Sequence, residues 1–587
     1  MYVYLCIPRA VLVAFVPSTE LQFTRGFVDQ TLAFVGVTIG LYVTAELIGL
    51  QWLRRAVRAA WLVEFAARAG EALLMYVFGM GYSPLVFYHV DPVSMRLALS
   101  QEGVLLACIA VCAMSADRLI ARMPSVLSWH RSTRIERLAM GVLLVFAVRS
   151  ACGLYRERAR LPQDFAAASL VDNWRSYDAT PAAEHVTATS AERREIRTLG
   201  IDTDEDAEHA LVQPPRRLNL VTIYLEGFQA NFTASGHGVY DGLTPNLDRF
   251  AARAQVFDHF YNAVTPTINA IISSQCGILS EIENGYLDID RGYTRNLTCL
   301  SDILHRSGYH QVFLGGAESS FSGKRAFLAA HHYDEIVGLE RWRQNPMYAD
   351  VRLNAWGLQD TDLAREAIAR LPALKGKKPF HLSLLTVNTH EPGFVAPDCP
   401  AYLPDRTMLN AIHCTDHAVG LVLDALEAQG MMNDTVVMVM GDHMMFPSGE
   451  SRSALGAASA GWFGTIFMAV HRPGDQAGTV VDAPSYTPDF APTALEALGF
   501  NPVPGFVVGQ PRLNATDHER ILVAPRFEVV NGKMSPSDPT VADDCTGDFV
   551  DRIELRSPLG ALTACERDRI MAIIAQSLMT PLERRTD

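Results

Sequence analysis

The 587-residue chain lacks several signatures that would assign it quickly. It has no Walker loop, no GxGxxG fingerprint and no internal repeat, so nucleotide-cradling glycine loops and solenoid architectures are set aside. No C-x-x-C pair occurs, which argues against a cysteine zinc site. The chain also lacks positive charge in excess: 50 Lys and Arg stand against 64 Asp and Glu, a formal charge of −14. Nucleic-acid binding is therefore not expected. Nor is the apolar N-terminus a simple signal peptide, because apolar stretches continue for over a hundred residues.

What is present falls into unlike halves, which the mean hydropathy of +0.10 averages. Residues 1–155 alternate apolar stretches with Arg-bearing loops. Candidate membrane spans are Tyr2–Val16, Leu32–Leu53, Ala59–Met80, Leu97–Ala113 and Ala139–Leu154, against the roughly 20 apolar residues a crossing helix needs. Arg54, Arg55 and Arg58 follow the second, and Arg118, Arg122, Arg131, Arg134 and Arg137 lie between the last two. By the positive-inside rule both loops are cytoplasmic, and about five helices then place everything after Leu154 outside. The expectation is a multi-pass inner-membrane protein with its soluble half on the periplasmic or external side. Glu46, Glu64, Arg68, Glu71 and Glu102 lie in or beside the spans, where charges either pair within the membrane or mark function.

The cysteines agree with this topology. Cys276, Cys299, Cys399, Cys414, Cys545 and Cys565 lie beyond the apolar half, an even set suited to an oxidising compartment. Six cysteines permit fifteen connectivities. Sequence proximity suggests 276–299, 399–414 and 545–565.

Residues 156–217 read as a linker, 218–512 as a catalytic domain and 513–587 as a C-terminal extension. In 218–512, apolar runs alternate with helical segments such as Asp360–Arg370 and Leu409–Glu427, which argues for an α/β domain with a largely parallel central sheet. In the extension, VAPRFEVVNGK reads as a hairpin turning at Asn531-Gly532. Three runs end in polar clusters: LNLVTIYL at Glu226-Gly227, FHLSLLTV at Asn388-Thr389-His390, and VVMVM at Gly441-Asp442-His443. Ligands in such sheets bind outside the carboxyl ends of the strands, so these clusters are expected to converge. Two carboxylates and a histidine there suit a divalent metal. Thr265-Pro266-Thr267 precedes another helical stretch, with Pro266 at its first position and Thr265 as cap. Thr267 is then either a nucleophile beside phosphate-binding backbone amides or a mere capping residue.

The order of YLEG, TPNLDRFA, TPTINAIISSQCG, FSGKRAFLAAHHYD, TVNTHEP and MGDH resembles the sulfatase-like catalytic domain of the alkaline phosphatase superfamily. More narrowly, it resembles the membrane-anchored phosphoglycerol transferases, which include lipoteichoic acid synthases and the enzymes that decorate periplasmic glucans. The resemblance implies that Glu226, Thr267, Asp442 and His443 coordinate one divalent ion, Mn2+ or Zn2+ with Mg2+ as a third option, and that Thr267 is the nucleophile. It assigns His390 to the substrate phosphate. Lys324 falls where lipoteichoic acid synthases carry an arginine of a W-x-R motif, a departure that leans toward the glucan-modifying branch. Trp356 lines the acceptor groove or packs as an ordinary aromatic, and His237, His331, His332 and His381 read as surface or satisfied interior histidines. The implied reaction moves phosphoglycerol from phosphatidylglycerol to a glycan through phospho-Thr267, releasing diacylglycerol. The alternatives are phosphoethanolamine transfer to lipid A or another glycan, and a metal-dependent phosphodiesterase. The C/S-x-P/A-x-R motif of true sulfatases is absent: Gly-Ile-Leu-Ser follows Cys276, and Ile-Asn-Ala-Ile follows Thr267.

Overall fold

The computed structural model describes residues 50–78 and 214–536, with breaks at 281–296, 349–352, 377–378, 405–406, 447–450, 452–463, 525–526 and 531–532, and isolated positions near 38–45, 192–201 and 569–574. The chain divides into two compact units, Met1–Thr180 and Pro181–Asp587. In the first, α1 (Gln51–Phe78) contains most of the expected span Ala59–Met80 and begins eight residues before it. Its buried Arg68 Nε donates to Glu64 Oε1 at 2.8 Å, so two of the charges flagged in the sequence pair with each other. Among the described residues no helix is long and apolar enough to cross a membrane. Of the other four candidate spans, Leu32–Leu53 is described only at residues 38, 41, 45 and 50–53, and the remaining three lie outside the described residues.

The second unit is built on an eight-stranded sheet ordered β5-β4-β6-β1-β7-β8-β2-β9. Its strands are β1 (Asn219–Leu225), β2 (Gln255–Phe257), β4 (His310–Gly315), β5 (Glu335–Val337), β6 (Phe380–Leu385), β7 (Thr435–Gly441), β8 (Met468–His471) and β9 (Thr479–Val481). β5, β4, β6, β1 and β7 pair in parallel, while β8 runs antiparallel to both of its neighbours. The apolar run Thr465–Val470, which reads as a strand in the sequence, becomes β8 only from Met468. Thr465 and Ile466 instead form isolated bridges, to Tyr261 and Gln229.

The near-continuous apolar sequence of β1 and β7 follows from burial on both faces. Val221, Ile223 and Leu225 share one core with Val437 and Val439, and with Leu363, Ala367 and Leu371 of α7 (Asp360–Leu374) and Ile412, Val419 and Val422 of α8 (Thr407–Ala428). On the opposite face Tyr224 meets α3 (Thr267–Cys276), where its hydroxyl lies 3.2 Å from Ser274 Oγ, and α9 (Phe490–Ala497), where its ring packs on Phe490. Between these come α2 (Pro245–Ala251), α4 (Leu300–Arg306), α5 (Lys324–Ala330) and α6 (Leu339–Trp342).

A short pair joins β3 (Phe260–Tyr261) to β10 (Ser485–Tyr486), and a separate antiparallel sheet contains β11 (Leu522–Ala524), β12 (Phe527–Val530) and β13 (Lys533–Pro536). The pairing of Val530 with Lys533 closes the hairpin expected at Asn531-Gly532. Cys276–Cys299 and Cys399–Cys414 are disulfide-bonded as expected. Cys545 and Cys565 lie outside the described residues.

Candidate active site

The sheet order places β1 between β6 and β7, with Tyr224 opposite Leu385 and Leu225 opposite Gly441. The three expected strand-end clusters therefore emerge side by side. Glu226 follows β1, Asp442 and His443 follow β7, and His390 lies on the turn beyond β6. All three groups from β1 and β7 are buried, with Glu226 5 %, Asp442 0 % and His443 1 % exposed.

Thr267 closes the cluster from the opposite side. The helix begins one residue later than the sequence suggested: Pro266 is the N-cap, extended at ψ −164°, and its carbonyl accepts the first helical bond from Ala270. Thr267 thus becomes the first helical residue, beside amides that have no intrahelical partner. Its Oγ1 donates to Glu226 Oε2 at 3.2 Å and lies 3.3 Å from His443 Nε2. His443 Nε2 is also 3.4 Å from Glu226 Oε1 and 3.5 Å from Asp442 Oδ2.

The donor set suits a cation on three observations. Ligand atoms of Glu226, Asp442 and His443 lie within 4.8 Å of one another. Asp442 Oδ1 accepts from Gly227 N at 2.8 Å and His443 N at 2.7 Å, whereas Oδ2 is buried with no hydrogen-bond partner. An orphaned carboxylate oxygen is costly unless an ion completes it. Finally, His443 Nδ1 donates to Met444 O at 2.7 Å, which orients the ring and leaves Nε2 facing the carboxylates.

The site's electrostatics reflect charges crowded out of water. Burial and the neighbouring Glu226 push Asp442 up to about 7. Burial opposes the charge of Glu226 as well, but His390, His443 and Thr267 outweigh it and hold this carboxyl down at about 2. His443 is raised to about 9, because Asp442 and Glu226 overcome the burial that disfavours its charge.

The expected substrate residues line the same place. His390 Nε2 is 3.6 Å from Glu226 Oε1, and its ring stacks on Trp356 with centroids 3.6 Å apart. Burial, set against Glu226, lowers the pKa of His390. Trp356 packs edge-on to Phe321 and donates from Nε1 to Glu391 O at 3.3 Å. Its half-buried ring thus backs His390. Lys324, at the first position of α5, is 4 % exposed and donates to Phe321 O at 3.0 Å. Burial lowers it to about 8, while Glu226, Asp442 and Glu340 favour its charge.

A layer behind these groups escaped the sequence reading. Asp360, at the start of α7, accepts from Val387 N at 2.8 Å, from Asn388 N and from Thr415 Oγ1 at 2.6 Å, and burial raises it to about 6. Asn388 Oδ1 in turn accepts from Asp360 N at 3.2 Å. Thr386 Oγ1 accepts from Glu226 N at 2.9 Å, and Thr389 Oγ1 donates to Glu226 O. These contacts fix the turn that carries His390. Only the sequence order NTH hinted at them, since an acidic residue in a first helical turn is commonplace. Of the other histidines, His381 is fully buried and satisfied by Ser383 and Gln311, and His331 is paired with Asp302. His237 is exposed beside Asp258.

A model of the sulfatase family matches residues 218–500. The chain is 29 % identical over 326 residues to a phosphoglycerol transferase I from Escherichia coli O127:H6, covering 52 % of this chain and 41 % of that protein. It is 30 % identical over 289 residues to a phosphoglycerol transferase I from Salmonella paratyphi B, covering 46 % and 36 %. The chain thus spans about two fifths of the length of the curated relatives it matches. A crystal structure of a protein in the alkaline phosphatase superfamily from Vibrio parahaemolyticus shares the fold, with a TM-score of 0.51 at 20 % identity over 68 % of this chain and 98 % of that one. Residues 218–500 thus match the sulfatase family model, and the chain shares the fold of that crystal structure.

Proposed function

We propose that this chain is a metal-dependent phosphoglycerol transferase that moves phosphoglycerol from phosphatidylglycerol to a glycan through a phospho-Thr267 intermediate. The observation that carries the reading is the position of Thr267 Oγ1, within 3.3 Å of both Glu226 and His443 and at the start of a helix. A hydroxyl so placed faces buried, cation-seeking groups on one side and unpaired helix-terminal amides on the other. The names of the curated relatives support the transferred group.

Glu226, Asp442, His443 and Thr267 would hold the divalent ion, Mn2+ or Zn2+ by donor type. Such an ion lowers the pKa of a hydroxyl and offsets charge on phosphoryl oxygens. Thr267 Oγ attacks phosphorus, an Oγ–P bond forms, and the P–O bond to diacylglycerol breaks. The hydroxyl proton leaves overall on the diacylglycerol oxygen. His390 and Lys324 hold the non-bridging oxygens as charge builds on them, Lys324 as a point charge rather than a bidentate fork. A sugar hydroxyl then attacks phospho-Thr267, takes the phosphoglycerol and returns the proton to the threonine. The donor is a lipid, which agrees with the apolar N-terminal half being a multi-pass anchor in the inner membrane and with a periplasmic catalytic domain.

The test is diacylglycerol release by the purified chain in mixed micelles with Mn2+ or Zn2+, comparing phosphatidylglycerol with phosphatidylethanolamine, with and without a soluble glucan. Release from phosphatidylglycerol that needs the glucan is expected. Preference for phosphatidylethanolamine would overturn the donor assignment, and equal release without glucan would show a phosphodiesterase.

A further inference from the structure

A second set of strand ends in the same sheet gathers metal-ligating side chains that the transfer chemistry does not use. β2 and β9 run parallel with Phe257 opposite Val481, so the following residues, Asp258 and Asp482, leave adjacent strands side by side. Asp258 N donates to Val481 O at 3.0 Å, and Ser485 N donates to His259 O at 2.9 Å, which fixes both turns. One ligand atom each from Asp258, His259 and Asp482 lies within 4.8 Å of the others, and His259 Nε2 is 3.2 Å from Asp482 Oδ1. For an ion bonded at about 2.0–2.2 Å in tetrahedral geometry, neighbouring ligand atoms fall about 3.4 Å apart, a spacing that the His259–Asp482 pair already has. Two further imidazoles flank the carboxylates. His237 Nε2 is 3.1 Å from Asp258 Oδ1, and His518 Nδ1 is 3.7 Å from Asp482 Oδ2. His237 holds this position with a left-handed backbone, φ 60°, an unfavourable conformation for a residue with a side chain.

We infer that Asp258, His259 and Asp482 form a second divalent-cation site, distinct from the Glu226 cluster and suited by its mixed oxygen and nitrogen donors to Zn2+. His237 and His518 orient the carboxylates as outer partners. The ion removes the repulsion between two adjacent aspartates and fastens the β2–β3 turn, the β9–β10 turn and the loop carrying His518. His259 directly precedes β3, from which the chain runs on to Thr267, so the site steadies the segment that feeds the nucleophile's helix.

The experiment uses the full-length chain in detergent, stripped with chelator, dialysed against Zn2+ alone and assayed for bound metal per chain. The wild type is expected to hold one ion more than D258N/D482N and one more than E226Q/D442N. H259Q, a milder surface change, should weaken the second ion at least tenfold while leaving the first in place. Equal metal content in the wild type, D258N/D482N and H259Q would overturn the site. So would loss of all bound zinc in folded E226Q/D442N.

Discussion

The strand ends of β1 and β7 and those of β2 and β9 present similar chemistry in different surroundings. Each pair places carboxylates beside imidazole at the carboxyl edge of one sheet. Around β1 and β7 the groups are almost wholly buried, and a helix start brings Thr267 into hydrogen-bond range. Around β2 and β9 the side chains are more open to water, with Asp258 at 25 %, His259 at 38 % and Asp482 at 63 % exposed. Burial decides what each can do. In a dry cluster an oxygen without a hydrogen-bond partner, such as Asp442 Oδ2, is expensive, pKa values move apart, and a hydroxyl can be activated. In the wet cluster water screens the charges, so an ion there serves to fasten turns.

The sharpest way to break this contrast is to remove the hydroxyl that only the buried cluster possesses. T267A should lower glucan-dependent diacylglycerol release by about 10⁴-fold or more, the scale seen when a nucleophile is deleted. T267S should keep measurable turnover, and comparable rates for T267A and wild type would erase the distinction.

The second test removes the support behind the buried cluster. D360A leaves the Val387 and Asn388 amides and the Thr415 hydroxyl without their acceptor, which should cost about 3 kcal/mol in a thermal or denaturant melt. With the His390 turn loosened, kcat should fall further than an equally destabilising change on the exposed face of α7.

At the exposed cluster, Zn2+ at about a hundredfold excess over its Kd should raise the stability of the E226Q/D442N chain by about 2.7 kcal/mol. Adding D258N/D482N should abolish that gain, which the shift in melting temperature reads directly.

The smallest effect is a pH shift. Lys324 is lowered to about 8 by burial, so it is charged below that pH and neutral above it. Its attraction for phosphoryl oxygens is therefore present at pH 7 and lost as pH rises through about 8, and kcat/KM should decline on that limb. K324R should move the limb upward, because a guanidinium stays charged. An unchanged limb would assign the titration to another group.

The central sheet and the convergence of Glu226, His390, Asp442 and His443 were legible because apolar runs ending in polar residues have a topological meaning in parallel sheets. Thr267 was legible through its proline and the helical run after it, although the cap position differed by one residue, as helix boundaries often do. Asp360, Thr386 and Thr389 were not, because their partners are backbone groups from distant segments and no local spacing encodes those contacts. Asp258 and Asp482 were invisible for a similar reason. They are more than two hundred residues apart, and only the register of β2 with β9 makes them neighbours.

The most direct test of the account is the intact mass of the chain and of T267A after incubation with Mn2+ or Zn2+ and phosphatidylglycerol, without acceptor. A phosphoglycerol-sized adduct on the wild type, absent from T267A and discharged by added glucan, is the predicted result. An adduct that persists in T267A, or turnover with no adduct under single-turnover conditions, would contradict a covalent phospho-Thr267 route.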